Sequence, residues 1–421
     1  MPEANNDLDK KVVQISGPVN VVRLEGNIHG VRKIIYLFMD FHIPVYIQTE
    51  CTNIFSKDIN KYFAESFYEL NNTSKKYDFF MEVRPNDIIR MGTEQAKKRK
   101  QIYIDQMVKL FAIILKYDKE KNKISISDYF KNVRIHYLDV RDYLQLHISN
   151  VYNEALDISS RFMTYGISAH GLMAINDILT KEKQMLDITI QIFMDTSYKL
   201  PADKKPHIRE SNFSYYTSEI EPDIVINLLN KIKNRYNHKD IQKIINDIFD
   251  NLMEELKKLS DDIGLVIEKF EDYIKILSIN NPNTLIKDEK TGEYNYGFTG
   301  YKLRSMTFDT INKCEELHAT TMEIFYKLTD LYLLRRFLDK DYVTNGIVFS
   351  GAAHSLNYIA ILLGYFNFKI THVAYAPIGN INDLNKETKK RISKNENIED
   401  LFYPPELYQC SDITHFPKNF E

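Results

Sequence analysis

Two short motifs near the ends of the chain constrain its fold more than any compositional figure. Gly26-Asn27-Ile28-His29 follows a β-branched run at 19–24, and Gly351-Ala352-Ala353-His354 follows Ile347-Val348-Phe349-Ser350. With 11 histidines and 14 glycines in 421 residues, chance yields roughly 0.4 strings of the form G-x-x-H, so the context carries the weight. Each motif closes a strand-like run and opens a segment of helical spacing, at 31–41 and at 355–364. Glycine lets the backbone turn sharply there. A histidine three residues on sits beside the positive end of a helix macrodipole, which keeps the imidazole neutral and available as a ligand or base. The reading is a central sheet assembled from both ends of the chain, with His29 and His354 at the same edge.

The intervening segments set the fold class: α/β, a central mostly parallel sheet flanked by helices, with a large all-helical insertion between its N-terminal and C-terminal parts. Pro44 introduces an extended run at 45–50, which completes a strand, turn, helix, strand unit suited to a parallel crossover. Further strands are expected at 79–83 and 133–138, the latter ending at Asp139, with a helix at 97–116 between them. From 150 to 339 helical periodicity dominates, at 172–195, 224–236, 241–259, 263–277 and 307–338, punctuated by Pro201, Pro206, Pro222 and Pro282. Thr291-Gly292 and Tyr296-Gly297 mark a turn or small hairpin. Strands return at 347–350 and 368–375, and the rest is polar, then rich in proline and aromatics. The organisation expected is 1–149 and 340–376 as two parts of the α/β core, 150–339 as a helical lobe, and 377–421 as an extended surface tail.

Several function classes are set aside on composition. The chain carries 55 basic and 58 acidic side chains, a net charge of −3, so no global field exists to hold a nucleic-acid backbone. The cluster Lys97-Lys98-Arg99-Lys100 leads into an amphipathic helix and Lys389-Lys390-Arg391 is expected in a polar loop; both read as solvated surface. The many tyrosines fall at core-like spacings, and no phosphate-binding glycine motif is present. Cys51, Cys314 and Cys410 are widely separated and form no C-x-x-C pair, so neither a disulfide framework nor a cysteine zinc site is expected, which points to a reducing compartment. The polar N-terminus does not resemble a secretory signal, and no apolar stretch approaches the ~20 residues of a membrane span. The expected location is cytoplasmic, in host cytoplasm or a virion if the source is viral. Richness in Ile, Asn, Lys and Tyr follows AT-rich coding, and with the helical elaboration it points to a large DNA virus of protists.

Edge logic sorts the polar residues. If the strands run parallel, Glu50 and Asp139 reach the edge that holds His29 and His354, while Asp40 and His42, which precede the second strand, fall at the opposite edge. The structural alternative is that these histidines cap backbone groups, and that Asp139 with Arg141 forms a local salt bridge or helix start.

Together, Gly26-Asn27-Ile28-His29, Thr49-Glu50-Cys51 and Gly351-Ala352-Ala353-His354 resemble the TIKI/TraB and erythromycin-esterase-like superfamily, whose members share two G-x-x-H motifs and a strand-end glutamate. The resemblance covers roughly the first 55 and last 90 residues. The family often continues its glutamate motif with another acidic residue, where Cys51 and Thr52 stand here. It implies a hydrolase of ester or amide bonds, and Gly26, Gly351 and Asp139 are the expected cofactor-binding residues. His29, Glu50 and His354 would hold a divalent metal such as Mn, Co or Zn and a water, or one histidine would deprotonate water directly. Arg335 or Arg336, in the helix before the last motif, would face the developing oxyanion. The substrate would be a small molecule or peptide. The competing classes are a catalytically inactive scaffold that binds a protein through its helical lobe and, last, a nucleic-acid-binding protein.

Overall fold

A computed structural model describes residues 13–42, 51–83, 129–140, 148–195, 222–279 and 300–421, with shorter pieces at 103, 106–107, 110–111, 117–118, 123–124, 285–287 and 294–296. The chain divides into two compact units, the first comprising Met1–Val140, Tyr236–Ile244 and Thr329–Glu421, the second Arg141–Arg235 and Ile245–Leu328. The segment at 236–244 and the end of the expected lobe, from Thr329, therefore belong with the α/β unit.

The α/β unit contains β1 (Gln14–Ser16), β2 (Asn20–Ile28), β3 (Val31–Asp40), β4 (Lys57–Asp58), α1 (Ile59–Glu69), β5 (Tyr77–Met81), the hairpin β6 (Tyr117–Asp118) and β7 (Lys123–Ile124), and β8 (Val133–Tyr137). The second unit opens with α2 (Ile148–Tyr165), α3 (Ala169–Met194) and α4 (Pro222–Asn234), followed by α5 (Lys239–Ile279), the hairpin β9 (Leu285–Lys287) and β10 (Tyr294–Tyr296), and α6 (Gly300–Asp339). The chain then returns to the sheet through β11 (Asn345–Gly351), α7 (Ala352–Tyr365), β12 (Lys369–Val373), α8 (Ile381–Ser393) and β13 (Cys410–Asp412).

Six strands form the central sheet in the order β12-β2-β3-β11-β5-β8. β3, β11, β5 and β8 pair in parallel, and β2 runs antiparallel to both β3 and β12. Strand alternation sends Ile34, Tyr36, Phe38, Phe79, Ile347 and Phe349 into an aromatic core with Phe63, Phe67 and Phe111. The alternate residues of β5, Asp78 and Phe80, are also buried, as is Glu82 just beyond its end. A sheet buried on both faces reads as an unbroken apolar run, so the helix expected at 31–41 is instead the central strand β3. The strand expected at 45–50 lies outside the described residues.

On the face opposite the aromatic core, the buried Lys33 ammonium donates to the carbonyls of Phe337, Lys340 and Val343 at 2.8, 2.9 and 2.8 Å. These are carbonyls at and just beyond the end of α6, which would otherwise lack partners. Burial nonetheless lowers its pKa to about 8.

Two expectations need correction. Residues 377–421 are not an extended tail: Asn380 caps α8 by accepting from the amides of Asn382 and Asp383, and β13 pairs with β1. The basic run Lys389-Lys390-Arg391 accordingly lies in α8, not in a loop. Cys51 and Cys410 form a disulfide with Cα atoms 5.0 Å apart, although 359 residues separate them. The small sheet β13-β1-β4 brings those distant segments together, which sequence spacing does not reveal. Cys314 is free and buried.

The second unit is helical. Gly166, at φ +80°, turns α2 into α3, and the Ser168 hydroxyl caps α3 by accepting from the Gly171 amide. α3 runs along α5 through Asn176 Nδ2 to the Ile267 carbonyl and Lys183 Nζ to Ser260 Oγ. α5 is one helix where the periodicity indicates two, because Ser260 bonds sideways to Asp187 at 2.5 Å and does not break the backbone. Glu182 on α3 is fully buried, and among the described residues neither carboxylate oxygen has a hydrogen-bond partner. Among the described residues no helix is long and apolar enough to cross a membrane.

Candidate functional site

The carboxyl ends of three neighbouring parallel strands converge. Gly351 at the end of β11 pairs in register with Asp40 at the end of β3, and the Glu82 amide, just beyond β5, donates to the Phe349 carbonyl at 3.0 Å. This is the edge at which open α/β sheets place their sites. Two residues past β3, His42 adopts φ +54°, a left-handed conformation uncommon for a side chain with a Cβ.

The side chains form one chain of alternating carboxylates and imidazoles. Asp40 Oδ2 lies 2.8 Å from His42 Nδ1, and His42 Nε2 lies 3.4 Å from Glu82 Oε2. On the other side Glu82 Oε1 lies 3.3 Å from His354 Nε2, and His354 Nδ1 lies 2.6 Å from Asp330 Oδ1. Asn357 Nδ2 donates to the second Asp330 oxygen at 2.7 Å. The Gly351 amide donates to Glu82 Oε2 at 2.5 Å, so the carboxylate serves as the anion at the N-terminus of α7, which has no side-chain cap of its own. A Cβ at 351 would crowd the cluster, standing 3.0 Å from His42 Nε2 and 3.2 Å from Glu82 Oε2.

Burial and charge pull the protonation states in opposite directions. Burial disfavours charge on both imidazoles, yet the hydrogen bonds of Asp40 and Glu82 raise His42 to about 10, and the charges of Asp330 and Glu82 raise His354 to about 10. Burial likewise pushes the Glu82 carboxyl up, but the two rings, His354 foremost, hold it well below the ordinary range. Burial raises Asp330 despite His354. At neutral pH an ionised Glu82 therefore lies between two imidazoliums. The Glu82 and His354 side chains are 6% and 8% exposed, whereas the His42 side chain is 39% exposed. Buried Asp40 Oδ1 has no hydrogen-bond partner among the described residues.

The residues expected from sequence divide. His354 and Gly351 stand in the cluster; Asp139 is buried near it, its charge felt by Tyr358. His29 does not: β2 and β3 form a hairpin, and His29, at φ +49°, sits in its turn at the opposite end of β3. That places it on the order of 30 Å from the cluster at ~3.3 Å per strand residue. There it stacks on His238 at 4.2 Å and meets Asp240. The error was to take a strand-turn-strand unit for a strand-turn-helix one. Gly26 lies inside β2, where a Cβ would strike the Phe368 ring at 2.5 Å. Glu50 and Arg141 lie outside the described residues. Arg335 stacks over Tyr236 at 5.8 Å and Arg336 is within electrostatic reach of His136, so neither joins the cluster by these contacts.

Sequence reasoning missed Glu82 and Asp330 and assigned Asp40 and His42 to the wrong edge. The strand-end pattern was visible in Phe79-Phe80-Met81-Glu82, which matches what was sought at Glu50. Asp330 gave no signal inside an apolar helical stretch.

These features define a mixed α/β protein with a buried carboxylate and imidazole network at the carboxyl ends of parallel strands. The chain belongs to the family of unknown function DUF5847, which matches residues 13–421. It is 37% identical over 430 residues to uncharacterized protein R706 of Acanthamoeba polyphaga mimivirus, covering 100% of both chains. Uncharacterized proteins R161 and R160 of the same virus are each 35% identical, covering 98% of this chain and 99% and 98% of their own. These viral relatives agree with the viral source expected from composition. No solved structure matches the chain.

Proposed function

We propose that the chain is a hydrolase of ester or amide bonds in a small molecule or peptide, with Glu82, His42 and His354 as its acid–base centre. One observation carries this reading. Both imidazoles direct Nε2 at the same buried carboxylate, while each Nδ1 is held by its own aspartate, Asp40 or Asp330. Such pairing fixes ring orientation and proton position before a substrate arrives. Glu82, held ionised, accepts a hydrogen bond from the attacking water and orients it. His42, the exposed ring, delivers a proton to the leaving group and faces the developing negative charge as an imidazolium. His354 and Asp330 act as positioning residues that keep Glu82 ionised.

A divalent metal would find its donors in His42 Nε2, His354 Nε2 and the Glu82 carboxylate, with Asp40 and Asp330 as the outer carboxylates that metal-bound histidines usually carry. Among the described residues no group of three or more His, Cys, Asp or Glu side chains is spaced to hold a metal ion. The side chains as they stand fit a proton network and not a metal cage.

The test is turnover of a panel of aryl esters and peptide amides by the purified chain, with and without Mn²⁺, Co²⁺ or Zn²⁺, beside His42→Asn and Glu82→Gln. Turnover that falls at least a hundredfold in both variants while their folds persist supports the reading. Turnover equal in wild type and variants, or none above background, contradicts it. A second reading, an inactive scaffold that binds a protein partner through its helical lobe, draws on the burial of Glu82 and its bond to the Gly351 amide. It predicts that both variants lose stability with no turnover to lose.

A further inference from the structure

On the sheet face opposite the aromatic core, a second polar group lies about 13 Å along β5 from Glu82, at ~3.3 Å per residue. Asp78 is fully buried. Arg134 Nε lies 2.9 Å from its Oδ1 and Arg134 Nη2 2.5 Å from its Oδ2, while His136 Nε2 lies 2.7 Å from Oδ1. Arg134 is further fixed by the Tyr342 carbonyl at 2.9 Å and the Tyr342 ring at 4.9 Å. With Nε2 donating to Asp78, His136 Nδ1 is left as a lone pair, and among the described residues it has no hydrogen-bond partner. The His136 ring packs on Phe80 at 4.9 Å.

One cation beside this group lacks an acceptor among the described residues. Arg336, on α6, makes no hydrogen bond or ion pair among the described residues, and its Nε is buried without an acceptor. It is near enough to His136 to oppose protonation of that ring, after burial itself. Lys33 on β3 also lies within electrostatic reach of Asp78. Lys33 also feels Asp341 and Asp339, so the cation left without an acceptor among the described residues is Arg336. Buried or half-buried cations are ordinarily paired, and a guanidinium with no acceptor is the natural seat of a planar or tetrahedral oxyanion.

We propose that Arg336 and His136, with Arg134 holding Asp78 in place, form a binding site for a small oxyanion, a carboxylate or a phosphoryl group. The anion accepts from the Arg336 guanidinium and gives its buried Nε the acceptor it lacks among the described residues. His136 Nδ1 takes up a proton as the anion enters and becomes a second donor. Binding therefore strengthens as pH falls, against a background set by Asp78, Arg134, Arg336 and Lys33.

The experiment is calorimetric titration of the full chain with sulfate, whose charge is fixed over the range, and separately with acetate, at pH 6 and pH 8. The wild type is expected to bind at least one of them saturably and about tenfold tighter at pH 6, equivalent to one unit of proton linkage. Preference for sulfate indicates a phosphoryl ligand and preference for acetate a carboxylate. Arg336→Gln is expected to weaken binding at least tenfold with an unchanged or higher melting temperature, since it loses no pair. His136→Gln is expected to bind without the pH dependence, and His42→Asn to bind as wild type does. No saturable binding of either anion, equal binding by Arg336→Gln, or loss of binding in His42→Asn overturns the proposal. A large drop in melting temperature of Arg336→Gln overturns it as well, by showing that the guanidinium is structurally paired.

Discussion

Glu82→Gln removes one charge from the centre of the network while preserving size and shape. The side chain is 6% exposed and meets the Gly351 amide at 2.5 Å, His354 Nε2 at 3.3 Å and His42 Nε2 at 3.4 Å. Removing one partner from a buried, hydrogen-bonded ion pair costs ~3–5 kcal/mol, and that range is the expected loss near pH 6. The pH dependence is the sharper part. His354 is raised from 6.5 to about 10, so its contribution is complete below about 6.5 and is lost as pH rises through about 10, at up to ~1.4 kcal/mol per pH unit. The Glu82 carboxyl is depressed below 4.5, so its contribution is present above 4.5 and is lost as pH falls through the depressed value. The gap between wild type and variant is therefore widest between about pH 4.5 and 6.5 and narrows on both sides. Because the chain has no tryptophan, urea unfolding followed by circular dichroism at pH 5.5, 7.5 and 9.5 is the appropriate assay. A gap under ~1 kcal/mol, or one constant across that range, refutes the coupling of Glu82 to the two rings.

Gly351→Ala is expected to cost ~1–3 kcal/mol by overpacking and to displace His42, whose Nε2 stands 3.0 Å from the new Cβ; thermal melting measures the first effect and turnover the second. Glu182→Leu is expected to stabilise the chain by ~1–3 kcal/mol at pH 7. Its carboxyl is raised well above 4.5 by burial alone, with both oxygens unpartnered among the described residues. A melting temperature that falls in this variant shows that the carboxyl has a partner in solution. Reducing the Cys51–Cys410 bridge, or replacing Cys410 by serine, is expected to cost ~2–5 kcal/mol, and an unchanged melting temperature under reductant contradicts its formation in solution.

Much of the architecture was legible because buried strands and amphipathic helices carry their periods openly. β5, β8, β11 and α7 fall where the pattern places them, and the β9–β10 hairpin sits at the expected glycine steps. β3 was misread because a strand buried on both faces has no alternation to distinguish it from a helix. That one error moved the site. With β3 as a helix, His29 reaches the active edge and His42 leaves it; with β3 as a strand the assignments reverse. His354 survived because the strand before it and the helix after it were both read correctly. Asp330 and the Cys51–Cys410 bridge were not legible, since each depends on a contact between residues far apart in sequence.

The most direct test of the account is an NMR titration of the histidine ring carbons in the wild type, with resonances assigned from His42→Asn and His354→Asn. The account predicts that His42 and His354 remain protonated beyond pH 8.5, consistent with values of about 10, and that both fall toward ordinary values in Glu82→Gln. Titration of both rings near pH 6.5 in the wild type, unmoved by the substitution, would contradict the claim that Glu82 joins them into one acid–base centre.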